Sequence, residues 1–516
     1  MIERLTNAQD ELESARRRIV ELIGAHSEWF YSHDAGDAPL ALNRGELDFR
    51  VSHGCLIFSC WSEKGTLVWR VRGWEWADDK LLLDATRRTG MRRATIELVP
   101  RASASAISEI VSHARRRNCT HMARLACAQA RGAKVERASL SPGARRGQPG
   151  RFARILLRLA RERIAVTGTV DAAETYDADA FLSSALIWFM RHLENTCPPR
   201  IQKLWLIAPK ERVETVTQRL ALLRDDLRRA ITLYEIDDNW QELTPVPQIE
   251  RAELWTKHPA RFRAPQAETG ISEQAARIIA LAPHAIDVAR SRHGETLRFH
   301  GLPFARVHRV MSSYRVWFGL DSARRRRLLD KTTERDWTKL LRELQEHRRA
   351  GADDHQHALY KALPEAWLES LLRRDITRLD PGLRLAPLHA QFRASPGAQG
   401  AGSRPIDLLA LRRDGRLVVI ELKVSEDRQH VMQGADYWRQ VEAHRRRGRI
   451  TRARLFDDAV IQDEPPLVYL VAPTLRFHRS FRTLAQAIDP EIEIYRFDLN
   501  EDWRAGVRVM RRARVN

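Results

Sequence analysis

The sequence predicts a multi-domain α/β protein, and three observations lead to this fold class. The chain has 516 residues, more than one hydrophobic core usually organises. Short apolar runs between turn signals predict a β-rich segment in residues 1–103. Helical and extended patterns then recur in the same order in residues 104–249 and 356–516, which predicts two copies of one α/β sandwich.

The composition is that of a soluble globular protein, with 43% apolar and 30% charged residues. No stretch reaches the roughly 18 apolar residues that a membrane span requires, and the N-terminus lacks the apolar core of a secretory signal. The five cysteines form an odd, scattered set without a CxxC pair, so we expect no disulfide framework. These features predict a cytoplasmic protein that does not bind membranes.

The chain is strongly basic. Lysine and arginine number 87 against 67 acidic residues, which gives a net charge of +20 and a pI of about 10.4. Such a chain attracts polyanions, and nucleic acid, with DNA favoured, is the expected partner. The alternative is a basic surface that is merely solvated, because the arginine runs lie mostly on helical stretches. The sequence contains no GxxxxGK[ST] loop, so we expect neither an ATPase nor a helicase.

Residues 1–103 form the first predicted domain, which begins with an amphipathic helix over residues 1–28. The predicted strands of this domain cover residues 47–51, 55–61, 66–76, 80–85 and 94–99. The tryptophans in these strands are expected to pack in the core of a small sheet, and stacking on bases is the alternative. These tryptophans are Trp61, Trp69, Trp74 and Trp76.

The second and fourth predicted domains, residues 104–249 and 356–516, are related by a faint internal repeat. The matched segments are 141–144 with 395–398, 163–170 with 417–424, 204–209 with 467–473, and 231–237 with 492–498. Trp240 and Trp503 follow the last match in each copy. Chance can produce any single match, but the preserved order favours duplication.

Between the copies, residues 250–355 are predicted to be a mostly helical connecting region. Helical patterns cover residues 272–290 and 322–348, and an extended piece covers residues 296–307. The second helix is charged nearly all round, so it is expected to bridge domains or to lie on a surface.

Three charged residues stand out in the fourth domain. Residues 405–411 and 417–424 read as two strands joined by a tight turn, and both are apolar on both faces, as in the centre of a sheet. Asp407, Glu421 and Lys423 interrupt these strands, where an unpaired charge costs several kcal/mol. Something must compensate these charges, and a divalent metal ion would do so.

The length of the turn decides whether these three side chains meet. Glu421 and Lys423 share one face of their strand, because side chains alternate along it. A two-residue turn would place Asp407 opposite Leu422 and on the other face. A three-residue loop ending at Gly415 in the left-handed conformation places Asp407 opposite Glu421 and gathers all three groups. The hypothesis of a shared site requires this second turn.

Two carboxylates and one amine on one small surface suit hydrolysis of a phosphodiester. Asp407 and Glu421 are oxygen ligands of the type that Mg²⁺ or Mn²⁺ prefers. The metal ion would polarise the phosphodiester and lower the pKa of a bound water. Lys423 would orient or deprotonate that water and offset the charge that builds up on phosphorus.

Asp407, followed after thirteen residues by Glu421-x-Lys423 on an apolar strand, resembles the core of the PD-(D/E)xK nuclease superfamily. Pro405 lies two residues before Asp407, so the first part of the pattern matches only loosely. The resemblance covers about residues 356–503 and implies a restriction-endonuclease-like α/β sandwich. It also implies magnesium-dependent cleavage of nucleic acid, with Asp407 and Glu421 as the metal ligands.

Further residues of the resemblance border the same site. The family commonly has a glutamate on the helix that precedes the strands, and Glu369 fits this position, with Glu365 as the alternative. Many RecB-like members have a glutamine and a tyrosine on the helix after the ExK strand. Gln433 and Tyr437 resemble this pair, and one helical turn brings them to the same face. The resemblance therefore adds Glu369, Gln433 and Tyr437 to the catalytic residues.

Two functions follow from these observations. The favoured one is a metal-dependent DNA nuclease acting in repair, restriction or defence. In the first copy, the aligned positions Ala153, Thr167 and Thr169 carry no catalytic groups, so this copy is predicted to be a degenerate nuclease-like domain. The alternative function is therefore a non-catalytic nucleic-acid-binding or scaffolding protein, in which the three charged residues of the second copy form a structural ion pair.

Overall fold

The protein is mixed α/β, with four β-sheets in the residues that the structure describes. This computed structural model describes residues 3–6, 8–33, 40–62, 65–77, 80–87, 92–101, 104–143, 149–160, 162–171, 177–194, 200–256, 270–291, 294–310, 313–320, 326–386 and 407–516. The matched segment 395–398 and Pro405 lie outside these residues. None of the described helices is both long enough and apolar enough to cross a bilayer.

The chain divides into two compact units. The first comprises residues 1–177, 192–213 and 231–246, and the second comprises residues 178–191, 214–230 and 247–516. Each of the four sheets lies within one of the four predicted domains. The segment 104–249 nevertheless contributes to both units, because residues 178–191 and 214–230 belong to the second.

The first sheet is antiparallel and has the strand order β3-β2-β8-β7-β6-β5-β4, with β1 paired to β6. Its elements are β1 (Glu3–Arg4), α1 (Gln9–Gly24), β2 (Glu28–His33), β3 (Leu40–Asn43), β4 (Leu47–Ser52), β5 (Cys55–Ser62), β6 (Gly65–Ala77), β7 (Lys80–Arg87) and β8 (Arg92–Pro100). The five predicted strands are therefore confirmed. The predicted amphipathic helix is shorter than expected and buries Leu12 and Ile19 against the sheet.

Three of the four predicted tryptophans of this sheet serve its core, whereas Trp61 is partly exposed and lies outside the core cluster. Trp69 and Trp74 are buried, and Trp76 packs against the same cluster while partly exposed. Trp29, on β2, is the fourth tryptophan in this core. The side chains of Trp69 and Trp74 are therefore not available for stacking on bases.

The second sheet has the order β14-β13-β12-β11-β10-β9. Its elements are α2 (Ala104–Gln129), β9 (Lys134–Pro142), β10 (Pro149–Leu159), β11 (Glu162–Thr169), α3 (Ala178–Leu193), β12 (Ile201–Pro209), α4 (Lys210–Leu220), α5 (Asp225–Ala230), β13 (Ile231–Ile236) and β14 (Leu243–Val246). The central pairs β11–β12 and β12–β13 are parallel, and the outer pairs are antiparallel.

Residues 250–355 contain a five-stranded antiparallel sheet, β15-β16-β17-β18-β19, so the prediction of a mostly helical region is wrong. Its elements are α6 (Glu253–Thr256), α7 (Glu273–Ala280), β15 (Ile286–Ser291), β16 (Gly294–Phe299), β17 (Leu302–Val310), β18 (Ser313–Phe318), β19 (Arg327–Leu328) and α8 (Glu334–His347). Pro283 explains the early end of the first predicted helix, since proline lacks the amide proton that a helix needs. The charged helix α8 is also not purely a surface element, because it buries Trp337 and Leu344 in the core of this sheet.

The fourth sheet has the order β20-β21-β22-β23-β24-β25. Its elements are α9 (Ala358–Lys361), α10 (Pro364–Arg374), β20 (Leu383–Leu385), β21 (Leu408–Arg412), β22 (Leu417–Leu422), α11 (His430–Arg446), α12 (Arg449–Arg452), β23 (Leu467–Pro473), α13 (Phe481–Ala487), β24 (Ile494–Leu499) and β25 (Val509–Arg514). Strands β22 and β23 are buried along their whole length, as their continuous apolar sequence predicts.

The second and fourth sheets have one topology. In both, the strands follow the same order, and the parallel and antiparallel pairs fall at the same places. Even the register agrees between β11 and β12 and between β22 and β23: Val166 pairs with Trp205, and their matched residues Ile420 and Tyr469 pair with each other. This agreement supports the predicted internal duplication.

The pairing corrects two details of the predicted match. Ile231 pairs with Leu204, and Ile494 pairs with Val468, so Ile231 corresponds to Ile494 rather than to Ile492. The hairpin β10–β11 closes over the two residues 160–161, whereas the hairpin of the second copy has a three-residue loop. The match therefore needs a one-residue gap.

Equivalent segments of the two copies also meet each other within the second unit. Leu223, between α4 and α5, forms an antiparallel bridge with Ile488, which follows α13. The amide of Arg224 donates to Ala487 O at 3.1 Å, and the amide of Asp489 donates to Leu222 O at 3.0 Å. Contact between like parts is the arrangement of a two-fold symmetric dimer. It gives the duplication a second line of support.

Candidate active site

The hairpin β21–β22 has the three-residue loop that the site requires. Leu408 pairs with Ile420 and Leu411 with Leu417, and the amide of Arg412 donates to Arg416 O at 2.9 Å. Residues 413–415 thus form the loop, and Gly415 has a φ of 82°. The predicted turn is confirmed, and Asp407 directly precedes the strand that pairs with the strand of Glu421.

Gly415 is needed here for two reasons. Its positive φ is a conformation that residues with a Cβ rarely adopt. A Cβ on this residue would also lie 2.6 Å from Val460 O, a backbone atom that cannot rotate away. The glycine therefore sets the loop length, and the loop length sets the register of Asp407.

Asp407, Glu421 and Lys423 converge at the end of the hairpin. Oδ2 of Asp407 accepts a hydrogen bond from the amide of Leu422 at 2.8 Å. Lys423 Nζ donates to Glu421 Oε1 at 2.5 Å and lies 4.0 Å from Asp427 Oδ2. Glu421 is 2% exposed, so this ion pair lies in a setting of low polarity.

The electrostatics of the three groups are coupled. Burial, and then the nearby Glu421, raise the pKa of Asp407 well above its usual value. Burial likewise raises the pKa of Glu421, although Lys423 opposes this shift. Burial alone would lower the pKa of Lys423, but Glu421 and Asp407 raise it above its usual value. Two carboxyl groups that resist ionisation together thus face one stable ammonium group.

The donor set fits a small cation that prefers oxygen. Glu421 Oε2 is buried and has no hydrogen-bond partner among the described residues, and an unpaired buried oxygen is costly. Within the described part of the chain, no cluster of three or more His, Cys, Asp and Glu side chains is placed to hold a metal ion. Asp407 and Glu421 are the two carboxylates that could hold such an ion, with water and substrate oxygens completing the sphere, as is usual for Mg²⁺.

Glu369 lies near this site, but two arginines neutralise it. Arg373, one helical turn further along α10, donates from Nε to Glu369 Oε1 at 2.5 Å, and Arg298 Nη1 lies 3.7 Å from the same oxygen. Glu369 also contributes to the raised pKa of Asp407. The alternative residue, Glu365, instead lies near Arg504, where its negative charge works to raise the pKa of the guanidinium. Glu369 therefore belongs to the surroundings of the site, with its charge already compensated.

Gln433 and Tyr437 are both buried on α11. Gln433 Nε2 donates to Gln429 Oε1 at 3.2 Å, and its Oε1 is a second buried oxygen without a hydrogen-bond partner in the described chain. Burial, followed by the charges of Glu421 and Asp407, raises the pKa of the Tyr437 hydroxyl. Tyr437 thus lies within the field of the two carboxylates and stays protonated there.

Sequence reasoning missed three residues that hold the site together. Arg373 donates from Nη2 to Asp407 O at 3.0 Å in addition to binding Glu369, and its position four residues after Glu369 was a usable signal. His430 lies with Nε2 3.2 Å from Glu421 O, and burial lowers its pKa to about 3, so the neutral ring donates to this carbonyl. Arg298 comes from the unpredicted five-stranded sheet, so its role had no local signal.

The first copy lacks this arrangement. Thr167, which corresponds to Glu421, donates from Oγ1 to Ala153 O at 2.7 Å. The residue that pairs with Thr167 across the hairpin is Arg154, not Ala153 as the gapless match implied. No pair of carboxylates stands at these positions, and the threonine hydroxyl is satisfied by the backbone.

Comparisons with known proteins give no further assignment. The chain matches no protein-family model, no curated protein and no solved structure.

Proposed function

We propose that the protein is a metal-dependent nuclease that hydrolyses phosphodiester bonds, with DNA as the expected substrate and repair, restriction or defence as the expected role. The proposal rests on one observation: two carboxyls and an amine converge at the end of one hairpin, and one oxygen of Glu421 has no hydrogen-bond partner among the residues that the structure describes. A buried group of this kind is costly unless it has a task.

Asp407 and Glu421 would hold Mg²⁺ or Mn²⁺, which, when bound, polarises the phosphodiester and lowers the pKa of a coordinated water. Lys423 keeps its proton and stabilises the negative charge that develops on the phosphate oxygens. Tyr437 and Gln433 border the same space and would position the substrate. Glu369, bound to Arg373, would instead fix α10 beside Asp407.

The topology also supports the resemblance to PD-(D/E)xK nucleases in residues 356–516 and a degenerate copy in residues 104–249. Each copy has the order helix, three strands, helix, strand, helix, strand that the sequence predicts for the sandwich, with one further strand at its end. A cytoplasmic location belongs to this proposal as well. The four described cysteines are all free, which accords with a reducing compartment.

A second function, a non-catalytic nucleic-acid-binding or scaffolding protein, is favoured by a different observation. The contact between Lys423 and Glu421, at 2.5 Å, is that of a structural ion pair. The first copy keeps the same topology with Thr167 in place of Glu421. This sheet arrangement can therefore be maintained without acidic groups.

A cleavage assay separates the two functions. Single-stranded, duplex and branched DNA and RNA substrates are incubated with Mg²⁺, with Mn²⁺ and with a chelator. We expect cleavage with either metal, none with the chelator, and loss of cleavage with retained binding in Glu421→Gln. Glu426→Gln, which changes an exposed glutamate five residues away, is the matched control and should cut normally.

Two results would contradict the nuclease. One is cleavage that persists in the chelator. The other is a Glu421→Gln variant that cuts as fast as Glu426→Gln. If no substrate is cut under any condition while nucleic acid is bound, the scaffolding function is supported instead.

A further inference from the structure

The five-stranded sheet of the second unit has two unlike faces. One face carries Phe299, Val307 and Phe318. The helices α7 and α8 cover this face and form a hydrophobic core with it. Side chains alternate along a strand, so the intervening residues point to the other face. Across β17 and β18, this other face pairs Arg306 with Trp317 and His308 with Arg315.

The second face is basic and carries an aromatic ring. Arg306 and Arg315 are exposed, and Trp317 is 36% exposed. Leu328, on the neighbouring edge strand β19, pairs with Trp317. Arg326 lies two residues before Leu328, so its side chain is on the same face. We call Arg306, Arg315, Trp317 and Arg326 the basic face.

Among the residues that the structure describes, the arginines of the basic face have few partners for their charges. Arg306 and Arg315 form no ion pair with any residue that the structure describes. Nε of Arg326 is buried and lacks a hydrogen-bond partner in the described chain, and both burial and the charge of Arg306 lower its pKa. Crowded cations with an unused donor are expected to attract an anion.

The basic face is linked to the candidate active site. Arg298 lies on the same face, on the strand next to that of Arg306, and its Nε donates to Asp287 Oδ1 at 2.6 Å. Asp287 Oδ2 in turn accepts from Ser370 Oγ at 2.7 Å, on α10. Arg298 also lies 3.7 Å from Glu369, whose partner Arg373 donates to Asp407 O.

The distance along the sheet is short. Arg298 and Trp317 are two strand spacings apart across the sheet, and their partners on β17, Pro303 and Arg306, are three residues apart along it, so the separation is roughly 14 Å. A few nucleotides of an extended single strand can span such an interval. A strand that follows the sheet would therefore reach α10 at the side where Arg373 and Asp407 meet.

We propose that the basic face binds single-stranded nucleic acid and guides it to the Asp407–Glu421–Lys423 site. Only the guiding of the strand to the Asp407–Glu421–Lys423 site rests on the proposed nuclease function, and the binding itself does not. Arginines supply phosphate contacts to either DNA or RNA. An exposed tryptophan on an open sheet can stack on an unpaired base, whereas the bases of a duplex are already stacked on one another.

Binding is measured by fluorescence anisotropy with labelled oligo(dT), oligo(rU) and a duplex of the same length, in the presence of a chelator. Arg306→Ala with Arg315→Ala should weaken binding of the single strands and lower the slope of log K against log salt by about 1.4, for two lost phosphate contacts. Trp317→Ala should weaken binding roughly 5- to 150-fold, and Trp317→Phe should recover part of the loss.

The control variant removes the same number of charges on the other side of the sheet. Arg335→Ala with Arg342→Ala changes two exposed arginines of α8, which covers the core face, and should bind as the unchanged protein does. Arg306→Lys with Arg315→Lys keeps the charge and should retain the salt slope. Oligo(dT) and oligo(rU) of equal affinity would assign recognition to phosphates and base stacking, and a difference would assign it to the sugar or to the methyl group of thymine.

The inference is overturned if the Arg306/Arg315 and Trp317 variants bind single strands as tightly as the α8 control. It is also overturned if the arginine variants weaken duplex binding alone, since the ligand is then a duplex. Its failure differs from failure of the nuclease function. If Glu421→Gln and the unchanged protein both fail to cut while the basic-face variants lose binding, the nuclease fails and the binding surface stands.

Discussion

Lys423 donates from Nζ to Oε1 of Glu421 at 2.5 Å and leaves Oε2 of that carboxylate without a partner among the described residues. One half of the glutamate is thus held by the ammonium group, and the other half remains available. The ammonium is a compact charge that can approach a carboxylate and a phosphate at the same time. The planar guanidinium of an arginine would occupy both carboxylate oxygens.

The first prediction follows from the different surroundings of the two oxygens of Glu421. Lys423→Arg keeps the charge but should bind Glu421 through both oxygens, so we expect metal-dependent cleavage to fall about 10²- to 10³-fold, as for the loss of one charge-stabilising donor. Nucleic-acid binding should persist. Single-turnover cleavage measures the effect, and Lys339→Arg on the exposed side of α8 is the control. A fully active Lys423→Arg variant would mean that the compact ammonium is not required.

The second prediction concerns the neutralised carboxylate. Glu369→Ala leaves Arg373 and Arg298 buried without their shared acid, and loss of one partner of a buried ion pair costs about 3–5 kcal/mol. We expect a lower urea midpoint, but an unchanged Mg²⁺ concentration for half-maximal cleavage in the folded protein. A shift of that Mg²⁺ midpoint by tenfold or more would make Glu369 a metal ligand after all.

Local signals were sufficient to predict the hairpin of the site. Gly415 after Asp414 marks a loop that needs a positive φ, and the apolar runs on either side define the two strands. The contacts around the site could not be predicted in the same way. Arg298 reaches Glu369 from a strand far away in sequence, and no periodicity reports such a contact.

The five-stranded sheet shows why the sequence of residues 250–355 predicts too much helix. Four of its five strands have six residues or fewer, and the helical pattern begins correctly, with Ser272 as the N-cap of α7. Pro283 then ends the helix, and residues 315–318 alternate between exposed and core-facing side chains in the way a half-buried strand does. Both signals were present, but a longer helical pattern outweighed them. The predicted internal duplication is supported, because both copies keep the same sheet topology even where Thr167 stands in place of Glu421.

The third prediction addresses a buried arginine that connects three helices. Arg219 on α4 donates from Nε to Asp179 on α3 at 2.8 Å and from Nη2 to Asp436 on α11 at 2.9 Å. Arg219→Met should destabilise the protein by about 3–5 kcal/mol, because Asp179 and Asp436 each lose a buried cation, although Asp436 keeps its contacts with Arg439 and Gln440. Urea unfolding measures this loss.

Two further variants bracket the effect of Arg219. Asp179→Asn with Arg219→Met should recover part of the loss, because the carboxylate that faces the new methionine is then neutral. Arg277→Met breaks a pair in which both side chains are largely exposed and should change stability by less than about 0.5 kcal/mol. Equal effects of Arg219→Met and Arg277→Met would show that the buried network contributes nothing to stability.

The fourth prediction tests the turn that sets the register of Asp407. Gly415→Ala should cost about 1–2 kcal/mol for the positive φ, and more because its Cβ would lie 2.6 Å from Val460 O. Gly448 also has a positive φ, but its nearest contact is Arg452 Nε at 3.9 Å, so Gly448→Ala should cost only the backbone strain. Gly415→Ala should also lose cleavage, because Asp407 shifts relative to Glu421. A Gly415→Ala variant that is less stable but cuts normally would show that this turn does not set the position of Asp407 in the site.

The fifth prediction concerns pH. His300 stacks on Trp367 with ring centroids 5.1 Å apart, and its Nδ1 is buried without a partner among the described residues. Burial, and then the charges of Arg374 and Arg348, lower its pKa to about 4. The unfolded chain takes up the proton near pH 6.5, so the free energy of unfolding should fall as the pH drops from 6.5 to 4 and then level off. The loss amounts to roughly 3 kcal/mol in total, and roughly 2 kcal/mol between pH 7 and pH 5.

His300→Asn isolates this contribution, because asparagine tolerates the positive φ of 43° at this position and does not titrate. Urea unfolding at pH 7 and at pH 5 should show a smaller difference for His300→Asn than for the unchanged protein, by the roughly 2 kcal/mol assigned to the histidine. All other titrating groups are common to both proteins and cancel in this comparison. Equal pH dependence in the two proteins would mean that the imidazole is protonated as easily in the folded state as in the unfolded chain, and that Trp367 and the two arginines leave it accessible to water.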